Sequence, residues 1–117
     1  MSENIVTLPA VKRGDTWGFV FMWSDSMTPI NLSSCSARMQ IRNKRTKQLV
    51  AEVSTEDENI TIDGPAGKTT VEFPASITET VPPGTYLSDV QITFPLPQRV
   101  LSSQTIQITV EEDITYG

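Results

Sequence analysis

Trp17-Gly18-Phe19-Val20-Phe21-Met22-Trp23 is the stretch that decides the fold. A large ring recurs at every second residue, and Gly18, Val20 and Met22 fall between them. Period two is the geometry of a β-strand, whose side chains point alternately to opposite faces. Four rings on one face match what a small sandwich needs at its centre, because each buries a large apolar area. The four rings are expected in the core, and of them Trp17 and Trp23, at the strand ends, are the two best placed to reach an interface. Phe19–Trp23 is also the longest uninterrupted apolar run, five residues, far short of the ~20 that cross a bilayer as a helix.

The same period continues along the chain. Cys35, Ala37, Met39 and Ile41 alternate with Ser36, Arg38, Gln40 and Arg42, and Leu49, Ala51 and Val53 repeat the pattern over 48–54. Ile60 and Ile62, then Val71 and Phe73, carry it in shorter pieces; Tyr86, Ser88, Val90, Ile92 and Phe94 form a longer one, and Ile106, Ile108 and Val110 close the series. No segment sustains an apolar repeat of 3.6 residues, and the best helical candidate is one turn around 75–79, closed by Val81-Pro82-Pro83. Turn-forming residues separate the runs: Arg13-Gly14-Asp15, Ser24 to Asn31, Asn43 to Lys47, Asp63-Gly64-Pro65-Ala66-Gly67 and Pro82-Pro83-Gly84. Pro95-Leu96-Pro97 is expected to interrupt a final hairpin. Asn4 to Pro9 reads as an edge strand or an arm, since Pro9 withholds one ladder donor. These signals predict an all-β chain: one immunoglobulin-like antiparallel β-sandwich of about seven to nine short strands, spanning 1–117.

Composition narrows function. The 117 residues suit one domain, and 38% hydrophobic with 20% charged residues is too apolar for a disordered chain and too polar for a membrane protein. The N-terminus has no basic start leading into an apolar stretch, so no signal peptide is expected. Histidine is absent, which removes the commonest general base near neutral pH and the commonest metal ligand. A single cysteine, Cys35, excludes an internal disulfide and every paired-cysteine zinc motif, and its inward phase suggests a small buried residue rather than a nucleophile. No catalytic residue, cofactor, metal or small-molecule substrate is expected.

A net charge of −5 argues against nucleic acid as a partner. The charge is uneven: residues 1–50 hold seven Lys/Arg and three Asp/Glu (+4), and residues 51–117 hold two and eleven (−9). Arg42, Lys44, Arg45 and Lys47 gather at a hairpin, with Arg38 outward on the preceding strand. This cluster suits an acidic surface on a second copy or another protein, or serves simply as a solubilising loop. Glu56-Asp57-Glu58 has none of the spacing of a calcium loop and reads as a solvated acidic turn. Gly64 to Thr70 superficially suggests a phosphate loop but has Ile62 where the first glycine belongs.

Gly14-Asp15-Thr16-Trp17, Ala37-Arg38-Met39-Gln40-Ile41-Arg42, Gly84-Thr85-Tyr86 with Asp89-Val90-Gln91-Ile92-Thr93, and the closing Gln104 to Val110 occur in this order along most of the chain. Together they resemble small virion proteins of tailed bacteriophages, including the N-terminal domain of the baseplate upper protein of lactococcal-type phages. The resemblance implies an immunoglobulin-like sandwich assembling in several copies on a tail, baseplate, neck or capsid. Family members often carry a polar glycine-containing turn before the last strand, where this chain has Phe94-Pro95-Leu96-Pro97-Gln98. The expected protein is thus a non-enzymatic structural component of a virion, made in the host cytoplasm. Its expected partners are other phage structural proteins and copies of itself, with no membrane contact. Its candidate interface comprises Arg38, Arg42, Lys44, Arg45, Lys47 and Tyr116. Two other readings are a capsid decoration protein and a carbohydrate-binding module using Trp17, Trp23 and Tyr116; an enzyme built on the acidic cluster is a further alternative.

Overall fold

The computed structural model of the protein describes residues 5–112 and 114. Its strands are β1 (Ile5–Thr7), β2 (Val11–Lys12), β3 (Trp17–Met22), β4 (Ser24–Asp25), β5 (Thr28–Pro29), β6 (Ser36–Asn43), β7 (Leu49–Ser54), β8 (Ile60–Asp63), β9 (Lys68–Phe73), β10 (Gly84–Pro95), β11 (Gln98–Ser102) and β12 (Thr105–Glu111), with one helical turn α1 (Ala75–Thr78). Eight of them, β3 and β6 to β12 without a gap, run for four residues or more, in line with the expected number; the others are pairings of two or three residues. The larger sheet has the order β1-β12-β10-β6-β7, with β11 beside β10 and β2 beside β12. The smaller has the order β3-β9-β8, and β4-β5 is a separate hairpin. Two sheets in these orders form an immunoglobulin-like β-sandwich.

The alternation read from the sequence is the burial pattern. Ala37, Met39 and Ile41 of β6, Ala51 and Val53 of β7, Val71 and Phe73 of β9, Tyr86, Val90 and Ile92 of β10, and Ile106, Ile108 and Val110 of β12 point into one core. Phe73 lies at its centre, with Trp17 tilted against it at 5.9 Å between centroids and Phe19 edge-on at 6.1 Å. Polar groups inside are satisfied: Ser88 Oγ donates to the Gln40 carbonyl at 2.6 Å, and Thr78 Oγ1 to that of Asp15 at 2.6 Å. Each such bond spares the core an orphaned acceptor.

Four features depart from the sequence expectation. Pairing is antiparallel throughout except at the N-terminus, where β1 and β2 both run parallel to β12. A chain entering at a sheet edge has its direction set by where it must cross next, and Pro9 lies between the two short pairings. Pro95-Leu96-Pro97 does not interrupt the final hairpin but turns it: Pro95 pairs with Gln98, and β11 follows, with the cis Leu96–Pro97 peptide inside the turn. The return strand then changes phase. Residue numbers across the β10–β11 pairing add to 193 (Gln91↔Ser102), and across β10–β12 to 194 (Ser88↔Ile106), so one extra residue is accommodated at Ser103-Gln104. Ser103 repairs the ladder there: its N–H donates to the Val90 carbonyl and its Oγ accepts from the Val90 N–H, both at 2.9 Å. This is a β-bulge, and it moves the inward set from odd positions (Leu101) to even ones (Ile106). Finally, Ser26 and Met27 link β4 to β5 with positive φ at both residues, the geometry of a two-residue hairpin turn that glycine and asparagine usually supply.

The corner before β10 is held by Tyr86, whose hydroxyl donates to the Pro82 carbonyl four residues upstream. A tyrosine near the start of this strand bonding back to its own corner is a hallmark of the immunoglobulin sandwich. Burial raises the Tyr86 pKa, offset in part by Arg13. The folded state therefore favours the neutral phenol, so the contribution is present below the unfolded value near 10 and is lost as pH rises through the higher folded value. Thermal stability should fall as pH passes 10, and this loss should be smaller in Tyr86→Phe, which itself lowers stability by about 1 kcal/mol at neutral pH. Comparing melting curves of the two proteins against pH checks both signs.

Gly67 closes the predicted Asp63–Gly67 turn with φ +64, and a Cβ there would stand 2.5 Å from the Trp23 carbonyl and 2.8 Å from that of Ile30. Gly67→Ala should cost about 2 kcal/mol or more in a urea titration, because both backbone conformation and space oppose it. Gly18→Ala, whose added methyl would meet only the Val71 carbonyl at an ordinary contact distance of 4.0 Å, should be neutral or slightly stabilising.

Candidate functional site

The hairpin joining β6 to β7 carries the basic cluster. Its conformation is set by its own polar groups: Asn43 Oδ1 accepts from the N–H groups of Arg45 and Thr46 at 2.9 and 3.0 Å. Lys47 takes a positive φ of 66° and donates its N–H to the Asn43 carbonyl at 2.8 Å. An asparagine at the start of a tight loop does this readily, since its side chain mimics a backbone acceptor. The loop is therefore a fixed shape presenting charges.

Each predicted cation can now be placed. Arg38 lies on the outer face of β6, 3.9 Å from Glu52 and donating from Nε to Gln91 at 3.2 Å. Arg42, on the same face, reaches into the hairpin and donates to the Lys47 carbonyl at 3.0 Å and to Gln40 at 3.1 Å. Lys47 Nζ donates to the Lys44 carbonyl at 2.9 Å, and Lys44 Nζ to Gln107 on β12 at 2.8 Å. The fold thus brings Arg42, Lys44, Arg45 and Lys47 to one end of the outer face of the large sheet, while Arg38 lies toward the other end of β6, opposite Ser54, where β7 runs into the acidic turn. Among the described residues, Arg42, Lys44, Arg45 and Lys47 have no ion-pair partner. Tyr116, the sixth predicted residue, lies outside the described residues. A shallow hollow of about 320 Å³ beside the hairpin is lined by Arg42, Lys47, Gln40, Gln91, Asp89 and their neighbours. With Asp89 of its lining counted against Arg42, Lys44, Arg45 and Lys47 the local sum is +3, on a chain of net −5.

The acidic run lies away from this end. Glu56, Asp57 and Glu58 are exposed in the turn after β7, whose six residues separate it from the hairpin by ~20 Å at the rise of an extended strand. The charge asymmetry between the two halves of the sequence does not become two separate sides, because β6 of the first half lies between β10 and β7 of the second. Gly64 to Thr70 is a strand-to-strand turn leading into β9. Cys35 is half-buried; burial raises its thiol pKa and the Arg99 guanidinium opposes this, so the thiolate is disfavoured overall.

A second surface was not read from the sequence. Trp17 and Trp23 are buried, as expected of core rings although they were the two best placed to reach an interface, and each indole N–H is bonded, to the Lys12 carbonyl at 2.7 Å and to Thr69 Oγ1 at 3.1 Å. The two central rings, Phe19 and Phe21, are the half-buried ones. The reason is positional: β3 is an edge strand, and its middle borders an open groove of about 740 Å³ between β3 and the β1 and β11–β12 edge of the other sheet. The ends of β3 are covered instead, by the Lys12–Asp15 turn and by the β4–β5 hairpin. Val6, Val20 and Met22 stand exposed around this groove. Among the described residues, no charged side chain lines it.

No protein family model and no curated protein matches the chain. Among solved structures it is similar to the crystal structure of CopC from Methylosinus trichosporium OB3b, with 13% identity over 96% of this chain and 88% of that one and a TM-score of 0.49.

Burial of both indoles has a direct consequence in solution. Iodide should quench the tryptophan fluorescence of the native protein only weakly, and soluble polysaccharides should leave its emission unchanged. Strong quenching of both indoles in the folded state would contradict the packing described above.

Proposed function

We propose that this chain is a non-enzymatic structural component of a tailed-bacteriophage virion, a tail, baseplate or tail-fibre adaptor protein acting through contacts with other polypeptides. The resemblance of the ordered motifs from Gly14 to Val110 supplies the virion setting. The observation that supports docking is the β6–β7 hairpin, in which backbone and asparagine bonds hold a cluster of cations outward in one geometry. A preformed loop loses little conformational freedom when a partner engages it, and its charge selects an acidic surface. Copies of the same chain carry such a surface at Glu56-Asp57-Glu58, so a head-to-tail contact between copies joins unlike patches, as rings require. Other virion proteins with acidic faces are served equally well.

The reading places this protein in the assembled particle, after synthesis in the host cytoplasm, with no cofactor and no small-molecule substrate. Replacing Lys44, Arg45 and Lys47 together by glutamate should leave the melting temperature nearly unchanged, because all three side chains are exposed. Incorporation into particles should fall sharply. Exposed ion pairs contribute about 0.2–1 kcal/mol each, so the loss in affinity from three of them is roughly three- to a hundred-fold and should shrink at high salt. Quantifying the chain in purified particles from cells carrying either version is the test. Equal incorporation removes the hairpin as the contact, and copy numbers in the hundreds per particle identify a shell decoration protein instead.

A further inference from the structure

We infer that the open edge of β3 is a docking site for an extended, uncharged segment of another polypeptide, which adds to the smaller sheet as a fourth strand. The ladder shows which backbone groups are available. Trp23 donates its N–H to the Gly67 carbonyl at 2.7 Å, in the register that pairs Phe21 with Thr69 and Phe19 with Val71. Hydrogen-bonded and non-hydrogen-bonded pairs alternate in an antiparallel ladder, so the odd residues of β3 bond to β9. Gly18, Val20 and Met22 therefore aim their N–H and C=O groups away from β9. The other side of β9 agrees, since Glu72 donates to the Asn59 carbonyl at 2.8 Å on the β8 side.

The two sheets differ in width, five strands along the main order of one against three in the other. At about 4.8 Å per strand the larger sheet extends roughly 10 Å further. At the β3 side this leaves the 740 Å³ groove, and a further hollow of about 360 Å³ continues it along Gly18–Phe21 beside Pro9 and Val11. In immunoglobulin-like sandwiches of the constant type the first strand occupies this position beside the second. Here β1 and β2 both pair with β12, and none of the described residues takes that position.

The occupant follows from these surroundings. Unpaired backbone groups in a row match an extended chain, whose own groups point sideways at the ladder spacing, whereas a helix has its groups bonded internally. Alternate side chains of the added strand face Phe19 and Phe21 and drop into a slot that the described residues line without a charge, which selects apolar residues at those positions. Natural edge strands are usually guarded by lysine, proline or a bulge; β3 has none of these over Trp17–Met22. A second copy pairing β3 to β3 is the poorer fit, because the overhanging larger sheets of the two copies would meet on the same side.

The site does not rest on the virion reading, and its test does not use particles. The probe is an uncharged peptide of alternating threonine and valine, acetylated and amidated at its ends, titrated into the full chain while amide hydrogen exchange is followed. In the free protein the Gly18, Val20 and Met22 amides should exchange quickly and those of Phe19 and Phe21 slowly. The peptide should protect the first three saturably. Val20→Pro removes a donor facing the open edge and not one used by β9, so binding should weaken roughly tenfold or more with the thermal transition retained. Met22→Pro provides the same test should Val20→Pro unfold. Absence of protection, equal binding by the proline variants, or equal protection by a helical peptide of the same apolar content would overturn the assignment. Protection in the protein alone that disappears on dilution would overturn it as well, by identifying a second copy as the occupant.

Discussion

A shared apolar interface between sheets of unequal width is the constraint on which the rest of this structure depends. The inward faces of β10, β6 and β12 must be covered by β3, β9 and β8, and Phe73 with Trp17 fills the centre of that contact. Where three strands cover five, the core is sealed in the middle and left open along one side. The half-exposure of Phe19 and Phe21 and the vacant edge of β3 follow from that mismatch rather than from any local feature of the strand.

Two devices keep the large sheet continuous despite this. The bulge at Ser103 lets a single return strand serve β10 along its whole length while changing phase, so that both Leu101 and Ile106 face inward. The Tyr86 bond to Pro82 fixes how the chain leaves α1 and enters β10. The charged hairpin is built differently, mainly from short-range bonds of Asn43, Lys47 and Arg42, with Lys44 tied to Thr85 and Gln107 of the neighbouring strands. A change of surface charge there acts on association with little effect on folding.

The repeating strands, the turns at Asp63–Gly67 and Pro82–Gly84, and the single helical turn were legible because each is governed by neighbours in the chain. The features that were not legible have particular causes. Ser26-Met27 forms a two-residue turn with residues that rarely adopt positive φ, so no composition signal marks it. Gln98–Ser102 alternates in the opposite phase to Thr105–Glu111, and without the bulge between them the two do not read as one strand. The basic cluster was visible as a hairpin, but Arg38, counted with it, stands toward the far end of β6, because an extended strand carries residues six apart to opposite ends. The groove was invisible for a reason of its own: an uncharged aromatic strand reads as central and buried, and nothing in Trp17–Met22 reports that it lies at an edge.

By itself the sequence determined period, and with it which side chains face inward, because alternation is a property of each strand alone. It determined the local turns and the absence of histidine chemistry in the same way. Only the tertiary structure decided which strands lie at the edges, which rings are sealed and which stand open, and that the first strand pairs with β12 instead of β3. Those outcomes depend on contacts between residues far apart in the chain, where the competing pairings differ by the fit of whole sheets rather than by any preference of the residues that form them.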